Sequence, residues 1–189
     1  FVVGQGIFVL SDLEKRQIKW NANELSFIKP YYTTKEINRY YASTNNKYWI
    51  IYTGADVNNK IKSYPNIKKH LDRFQKVITS VNKPYGLHRT RAEGIFLGEK
   101  IFSIRKCARP SFSLVNFPCY VSRAFLIIKT TKIDSKILLA ILNSRLMQFW
   151  LLNKGKLQGN QFQVDKVPLM SMPLVVPKQS EQTCLAELV

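Results

Sequence analysis

Acidic residues are scarce in this sequence. Only 12 Asp and Glu stand against 29 Lys and Arg in 189 residues, which gives a formal net charge of +17 at pH 7. Hydrophobic residues still make up 46% of the chain and aromatic residues 12%. Those fractions are typical of a folded domain and argue against a disordered basic tail. Such an excess of positive charge predicts a polyanionic partner, the alternative being a basic surface that serves only solubility.

Cysteine and long apolar segments are also rare. Cys107, Cys119 and Cys184 are an odd number without close spacing, which excludes a disulfide framework or zinc motif and favours a reducing cytoplasm. No apolar run reaches the roughly 18 residues of a membrane helix. No signal peptide opens the chain, so no membrane partner is expected. Because the chain begins at Phe1 within an apolar, β-prone segment, we expect it to be cut from a longer polypeptide.

Two segments are similar to methyltransferase motifs but lack essential residues. Val3-Gly4-Gln5-Gly6 resembles a cofactor-binding glycine loop, yet no acidic residue follows at the end of a second strand to hold a ribose. Val81-Asn82-Lys83-Pro84-Tyr85 resembles the Asn-Pro-Pro-Tyr motif that holds a flipped adenine, but Lys83 replaces its first proline. A glycine turn and a helix end explain these segments better.

No hydrolytic centre is evident either. Asp134-Ser135-Lys136 has the Asp-x-Lys spacing of metal-dependent nucleases without their upstream Pro-Asp, and helix capping is a simpler role for Asp134. His70 and His88 have no Cys or Ser arranged for nucleophilic catalysis. We therefore predict no catalytic, cofactor-binding or metal-binding residue in this chain.

The hydrophobic pattern predicts an α+β fold, a mixed and mostly antiparallel twisted sheet packed with two long helices. The first helix opens at Tyr64-Pro65 and continues to Val81; the second begins at Asp134 or Ser135 and runs to about Leu152. The second is apolar on most sides, so we expect it to be the most buried element. Tyr120 to Thr130 is predicted to be the strongest strand and its neighbour.

The basic residues are clustered in predicted loops and strand ends. Nine Lys or Arg occur between Lys60 and Ala92, and eleven between Lys100 and Gln163, each with one acidic residue. Arg and Gln side chains match base edges in the major groove, whereas Lys suits phosphate. A polar loop is predicted from Asn153 to Gln163. The candidate DNA-contacting residues are Arg39, Arg89, Arg91, Arg105, Lys106, Arg109, Lys154, Lys156 and Gln158.

Aromatic residues alternate with basic ones near the first third of the chain, and this leaves an alternative open. The residues concerned are Tyr31, Tyr32, Tyr40, Tyr41, Tyr48, Trp49 and Tyr52, with Lys29, Arg39 and Lys47 among them. Such a pattern could stack unpaired bases in an RNA- or single-strand-binding module. Packing in the core and at its rim is the commoner role of such aromatics.

The order of several motifs resembles the TaqI-like C-terminal specificity domain. The segments that carry the resemblance are Val3 to Ile7, Lys29-Pro30-Tyr31-Tyr32, Glu36 to Tyr40, the Tyr64-Pro65 helix, Leu87 to Arg91, Ile95 to Ile101, Leu138 to Ser144 and Met172-Pro173-Leu174. Each motif is loose, but their order is fairly specific. Tyr85-Gly86 departs from the tryptophan that many relatives have before the equivalent of Leu87-His88.

This resemblance implies a target-recognition domain over residues 1–177, followed by the start of a helix over 178–189. It implies sequence-specific binding of double-stranded DNA on behalf of an adenine-N6 DNA methyltransferase, often fused to a nuclease as a type IIG restriction enzyme. The catalytic methyltransferase domain of the same chain would precede this fragment, which is itself not an enzyme. The full-length enzyme would use S-adenosylmethionine, with magnesium as a further candidate, in a bacterial or archaeal cytoplasm.

Overall fold

The computed structural model describes residues 4–175, 177–178 and 181–184. The strands there are β1 Val9–Ser11, β2 Ile28–Tyr32, β3 Tyr40–Tyr41, β4 Tyr48–Ile51, β5 Lys100–Ile104, β6 Lys106–Cys107, β7 Phe112–Val115, β8 Tyr120–Val121, β9 Phe125–Ile128, β10 Lys156–Gln158 and β11 Gln161–Gln163. The helices are α1 Asp12–Gln17, α2 Ala22–Leu25, α3 Val57–Lys60, α4 Pro65–Asp72, α5 Ser135–Leu142, α6 Arg145–Lys154 and α7 Lys166–Met170. The predicted α+β class with mixed sheets is confirmed. None of the described helices is long and apolar enough to cross a membrane.

The chain divides into two compact units. The first unit comprises Phe1–Tyr32 and Asn45–Glu93, and the second comprises Thr33–Thr44 and Gly94–Val189. The predicted boundary at residue 177 stays a prediction. The strand predicted from Phe1 is described only from Gly4 onward and begins at Val9. The helix start predicted over residues 178–189 lies mostly outside the described residues.

The first unit is built on the antiparallel strands β1, β4 and β2, in that order. Aromatic and β-branched residues favour strands, so the sequence predicts a strand over Tyr48 to Thr53, and Tyr48–Ile51 forms β4. Glu24, fully buried, joins α2 to α4 because its carboxylate accepts hydrogen bonds from the Asn66 and Ile67 backbone N–H groups at 2.6 and 3.1 Å. A carboxylate at this helix end satisfies N–H groups that have no partner within the helix.

The second unit contains a four-stranded mixed sheet in the order β3-β7-β5-β9, whose β3–β7 pair is parallel. Strand alternation places Ile101, Phe112 and Ile128 on one face, and that face packs against α5 and α6. The opposite face carries Phe102 and Phe125, whose rings meet edge to face with centroids 6.0 Å apart. One hydrophobic core of this unit therefore lies between the sheet and the two helices, and the buried Phe102 and Phe125 lie on the other face of the sheet.

The long helix predicted from Asp134 to Leu152 is two helices. Asp134 caps α5 as predicted, accepting from the Lys136 and Ile137 N–H groups, but α5 ends at Leu142 and Ser144 caps α6. The buried Asn143 causes the break: its carboxamide bonds both Phe112 N and Phe112 O, at 3.0 and 2.9 Å. Its side chain thereby extends the edge of β7.

The predicted neighbour of this helix is only partly right, because β9 places Leu126 and Ile128 against the core to which α5 and α6 contribute. α5 packs mainly against β7 and β5, whereas the Tyr120–Thr130 segment is interrupted between β8 and β9 at residues 122–124. The helix predicted from Tyr64 to Val81 ends at Asp72, after eight residues, and Val81 is 74% exposed. The apolar period continues past Asp72 only as a series of turns.

Candidate nucleic-acid interface

A small three-stranded antiparallel sheet in the second unit brings together candidate DNA-contacting residues from two separate segments, Lys106 from one and Lys156 and Gln158 from the other. Its order is β10-β11-β6, with Lys156 opposite Gln163 and Gln163 opposite Lys106. The segment predicted to be a polar loop, Asn153 to Gln163, is therefore mostly a β-hairpin. We call strands β10 and β11 with their turn, residues 156–163, the ribbon.

The two faces of the ribbon differ in chemistry. Directly opposed residues share a face and successive residues alternate, so Leu157, Phe162 and Cys107 lie on one side. Phe162 is 1% exposed and belongs to the core of the second unit, which fixes this face inward. The other face is entirely polar, and its members are Lys106, Lys156, Gln158, Gln161 and Gln163.

Two glycines position the ribbon. Gly159 opens a two-residue turn with φ of +59°, while Asn160 has no positive φ, the pattern of a type II′ hairpin turn. Gly155 ends α6, and a Cβ there would lie 2.5 Å from the carbonyl oxygen of Leu151. Because glycine has no Cβ, the backbone at Gly155 can lie this close to Leu151, and the chain passes from helix to strand within one residue. Residues 156–161 are all exposed, so the tip of the ribbon projects into solvent.

The base of the ribbon is held by an ionic network. Arg105 donates from Nη2 to Oδ1 of Asp165 at 2.8 Å, and Gln163 Nε2 donates to both oxygens of the same carboxylate. The backbone N–H of Val164 also donates to the Arg105 carbonyl at 2.7 Å. The hydrogen bond from Gln163 lowers the pKa of Asp165 most; burial opposes this, and Arg105 adds to the lowering. Arg105 is therefore engaged within the protein.

Four predicted cations around the ribbon are exposed: Lys106, Arg109, Lys154 and Lys156. Among the described residues, none of them forms a side-chain hydrogen bond or an ion pair. Lys154 Nζ lies 5.9 Å from the centroid of the Trp150 ring. Gln158 is likewise exposed and free of hydrogen bonds to described residues. These groups remain available to an external anion.

Arg39 occupies a different place in the second unit. Its guanidinium donates to the carbonyl of Asn143 at the end of α5, and its Cζ lies 5.0 Å from the centroid of Tyr40. A cation at a helix C-terminus stabilises the unpaired carbonyls there. Arg39 thus supports the helix break, and its predicted contact with DNA stays a prediction.

Arg89 and Arg91 belong to the first unit. Arg89 is exposed, in a segment without regular structure. Arg91 is half-buried: its N–H donates to the Tyr52 hydroxyl at 2.7 Å, and that hydroxyl donates to the Arg91 carbonyl at 2.8 Å. The pair fixes the backbone that precedes Glu93. The predicted contacts of Arg89 and Arg91 with DNA stay predictions.

The profile of the TaqI-like C-terminal specificity domain matches residues 11–174. The chain belongs to this family. The match spans both units and ends beyond α7, so the ribbon and its anchoring residues are part of the specificity domain. No curated protein matches the chain.

Solved structures of restriction enzymes have the same fold as this specificity domain. The type IIL restriction-modification enzyme MmeI, in complex with DNA, superposes with a TM-score of 0.65 at 16% identity, over 95% of this chain. The type IIG restriction endonuclease BpuSI superposes with a TM-score of 0.55, also at 16% identity, over 94%. The domain spans 25% and 22% of those two chains.

Sequence reasoning missed two members of the polar face, Gln161 and Gln163. The signal was present, because Lys-Leu-Gln-Gly-Asn-Gln-Phe-Gln alternates polar and apolar residues on both sides of a Gly-Asn pair.

In the described part of the domain, no three His, Cys, Asp or Glu residues are grouped so as to hold a metal ion.

Proposed function

We propose that this specificity domain binds double-stranded DNA and gives target specificity to a methylation or restriction enzyme. The observation that carries the proposal is the ribbon and the strand end beside it, which carry an all-polar strand face and four exposed cations that form no ion pair or side-chain hydrogen bond with described residues. Cations of this kind suit phosphates, and the net charge of +17 favours a polyanion as the partner. Membership of a family named for specificity supports the same function.

A duplex suits the domain better than a single strand. A single-strand platform needs exposed aromatic rings beside a basic groove. In the first unit, Tyr31 and Tyr32 are 3% and 2% exposed, and the Trp49 ring is covered by Lys15 Nζ at 3.1 Å. Only Tyr40 and Tyr41, at 44% and 64%, are open among the seven aromatics of that pattern.

The chemistry would belong to other parts of a larger enzyme. The two restriction enzymes are about four times as long as this chain, so the specificity domain would act beside catalytic domains of the same polypeptide. We infer that these include an adenine-N6 methyltransferase that uses S-adenosylmethionine. Incubating the chain with DNA and labelled S-adenosylmethionine should give no transfer of methyl groups, and turnover would contradict this assignment.

Binding of labelled duplex, single-stranded and RNA oligonucleotides over a salt series tests the proposal. We expect the duplex to bind most tightly, with log Kobs falling linearly with log salt concentration. Each Ala substitution at Lys106, Arg109, Lys154 or Lys156 that removes a phosphate contact should reduce the slope by about one. Arg16→Ala is the matched control, because Arg16 is exposed but already paired with Asp12 at 2.7 Å. Equal affinity for single strands, or an unchanged slope in the fourfold variant, would contradict the proposal.

A further inference from the structure

Two glutamines face each other at the tip of the ribbon. Gln158 and Gln161 are directly opposed across β10 and β11, on the same face and beside the turn. Both are exposed, and neither carboxamide bonds to a described residue. Gln163, two residues further back, differs because its amide is committed to Asp165 at 2.8 and 3.0 Å. The structure therefore separates two free glutamines from one that is structural.

We propose that Gln158 and Gln161 are a base-reading pair that recognises adenine in the major groove. The inference rests on the duplex binding proposed above and names the groups that read the sequence. A carboxamide presents one donor and one acceptor, which match the N7 acceptor and N6 donor of adenine. The major groove, about 12 Å wide, admits a two-stranded ribbon.

The spacing of the pair suits neighbouring base pairs. Directly opposed residues of an antiparallel ribbon have Cβ atoms about 5 Å apart. Base pairs stack about 3.4 Å apart, so two side chains of this separation reach adjacent pairs or pairs one step further. The target of this domain therefore contains two A·T pairs that are adjacent or separated by a single pair.

The lysines on the same face lie where phosphates would be. Along a strand, residues two apart are about 7 Å from each other, and the major groove is about 8.5 Å deep. When the Gln158–Gln161 tip reaches the base edges, Lys156 and Lys106 therefore stand at the rim of the groove. Phe162 packs behind the ribbon and the Arg105–Asp165 ion pair holds its base, so we expect the tip to enter the groove without reordering.

Selection of bound duplexes from a pool with a randomised target tests this inference. The wild-type chain should enrich duplexes with two closely spaced A·T pairs. Gln158→Ala and Gln161→Ala should each lose about 5- to 150-fold discrimination at one of those pairs. Gln158→Glu should change the preference at its position from adenine to cytosine, because a carboxylate accepts from the cytosine amino group.

Two controls come from the same face. Gln163→Ala should leave base preference unchanged, and Lys156→Ala should weaken all duplexes equally. Circular dichroism of every variant checks that the fold is retained. If Gln158→Ala and Gln161→Ala both keep the wild-type base preference, or change it at positions more than two base pairs apart, the two glutamines do not read the bases as proposed. The proposal that the domain binds a duplex would be unaffected by that result. Failure of the wild-type chain to bind any duplex would overturn the proposed function as well.

Discussion

Arg105 and Asp165 form an ion pair across 60 residues of sequence, with Nη2 of the guanidinium 2.8 Å from Oδ1 of the carboxylate. Arg105 follows β5 directly and Asp165 follows β11 by two residues, so the pair joins the large sheet of the second unit to the ribbon. The sequence predicts that Arg105 contacts DNA, and that contact stays a prediction. In the structure its charge fixes the position of neighbouring strands.

Removing either partner should loosen the ribbon. Because both side chains are about one-third exposed, Arg105→Ala and Asp165→Ala should each cost about 1 kcal/mol of unfolding free energy. Hydrogen exchange at the amides of residues 156–163 should accelerate in both variants, with Lys106→Ala as an unaffected control. Both should weaken binding of all duplexes to a similar degree. A change of preference at one base pair in Arg105→Ala alone would assign Arg105 to the bases.

The buried carboxylate of Glu24 should be important for the stability of the first unit. Besides the two α4 backbone amides, it accepts from the Asn66 side chain at 2.8 Å and from Asn21 N at 2.9 Å. Glu24→Gln turns an NH₂ toward these donors and should cost about 2–3 kcal/mol. Urea unfolding measures the loss, with the exposed Asp56→Asn as a control that should stay within about 0.5 kcal/mol.

The same residue predicts an acid dependence. Burial acts to raise the pKa of Glu24, but the hydrogen bonds from Asn21, Asn66 and Ile67 together bring it below its ordinary 4.5. A carboxyl whose pKa is lower in the folded state than in the unfolded state stabilises the fold at pH values above its unfolded-state pKa. That stabilisation is lost as the pH falls through its folded-state pKa. The difference in stability between wild type and Glu24→Gln should therefore shrink below pH 4.5. A constant difference down to acid unfolding would contradict this account.

Several local features were predicted correctly, whereas the ends of both predicted long helices were not. β4 and the Asp134 cap follow from residues within one strand or turn. The end of α5 does not, because Asn143 is compatible with a helix and stops this one only by bonding to Phe112, 31 residues earlier. No periodicity in a single sequence reveals such a partner.

The candidate nucleic-acid interface was likewise only partly predictable from the sequence. Net charge and clustering predicted a basic region, and the alternation around Gly159-Asn160 could have predicted its hairpin. The role of each arginine could not be predicted, because exposure and pairing are set by tertiary contacts. Arg39 bonds to Asn143 and Arg105 to Asp165, whereas Arg109 is exposed.

A buried lysine in β5 should make stability depend on alkaline pH. Lys100 is 1% exposed, and its Nζ donates to the carbonyls of Gly98 and Phe117 at 2.8 and 2.7 Å. Burial lowers the pKa of Lys100 to about 8, although Cys119 acts in the opposite direction. Unfolding therefore takes up a proton between pH 8 and 10.5, and the native state gains stability as the pH rises through that range.

Comparison with Lys100→Met isolates this effect. The stability of wild type relative to the variant should increase by up to about 3 kcal/mol from pH 8 to 10.5, measured by urea unfolding. Lys129→Met is a matched control, because the exposed Lys129 also donates to two carbonyls, those of Gly94 and Leu97. The Lys129→Met substitution should lower the free energy of unfolding by less than about 1 kcal/mol. If the difference for Lys100→Met does not change with pH, the ammonium is hydrated in the native state.

The hydrogen bonds of Asn143 predict a variant whose stability is lost at pH 7 and restored at acid pH. Asn143→Asp keeps the size of the side chain but leaves the Phe112 carbonyl without its donor and buries a charge, which should cost about 3 kcal/mol or more at pH 7. A protonated carboxyl can donate to that carbonyl again, so its pKa in the fold should lie above the unfolded value. The stability of the Asn143→Asp variant relative to wild type should then recover as the pH falls toward the pKa that the carboxyl has in the unfolded chain. Asn116→Asp, in an exposed loop, should cost little at either pH. An unchanged deficit between pH 7 and about pH 4.5 would mean that Asn143 does not hold the end of α5 through its donor.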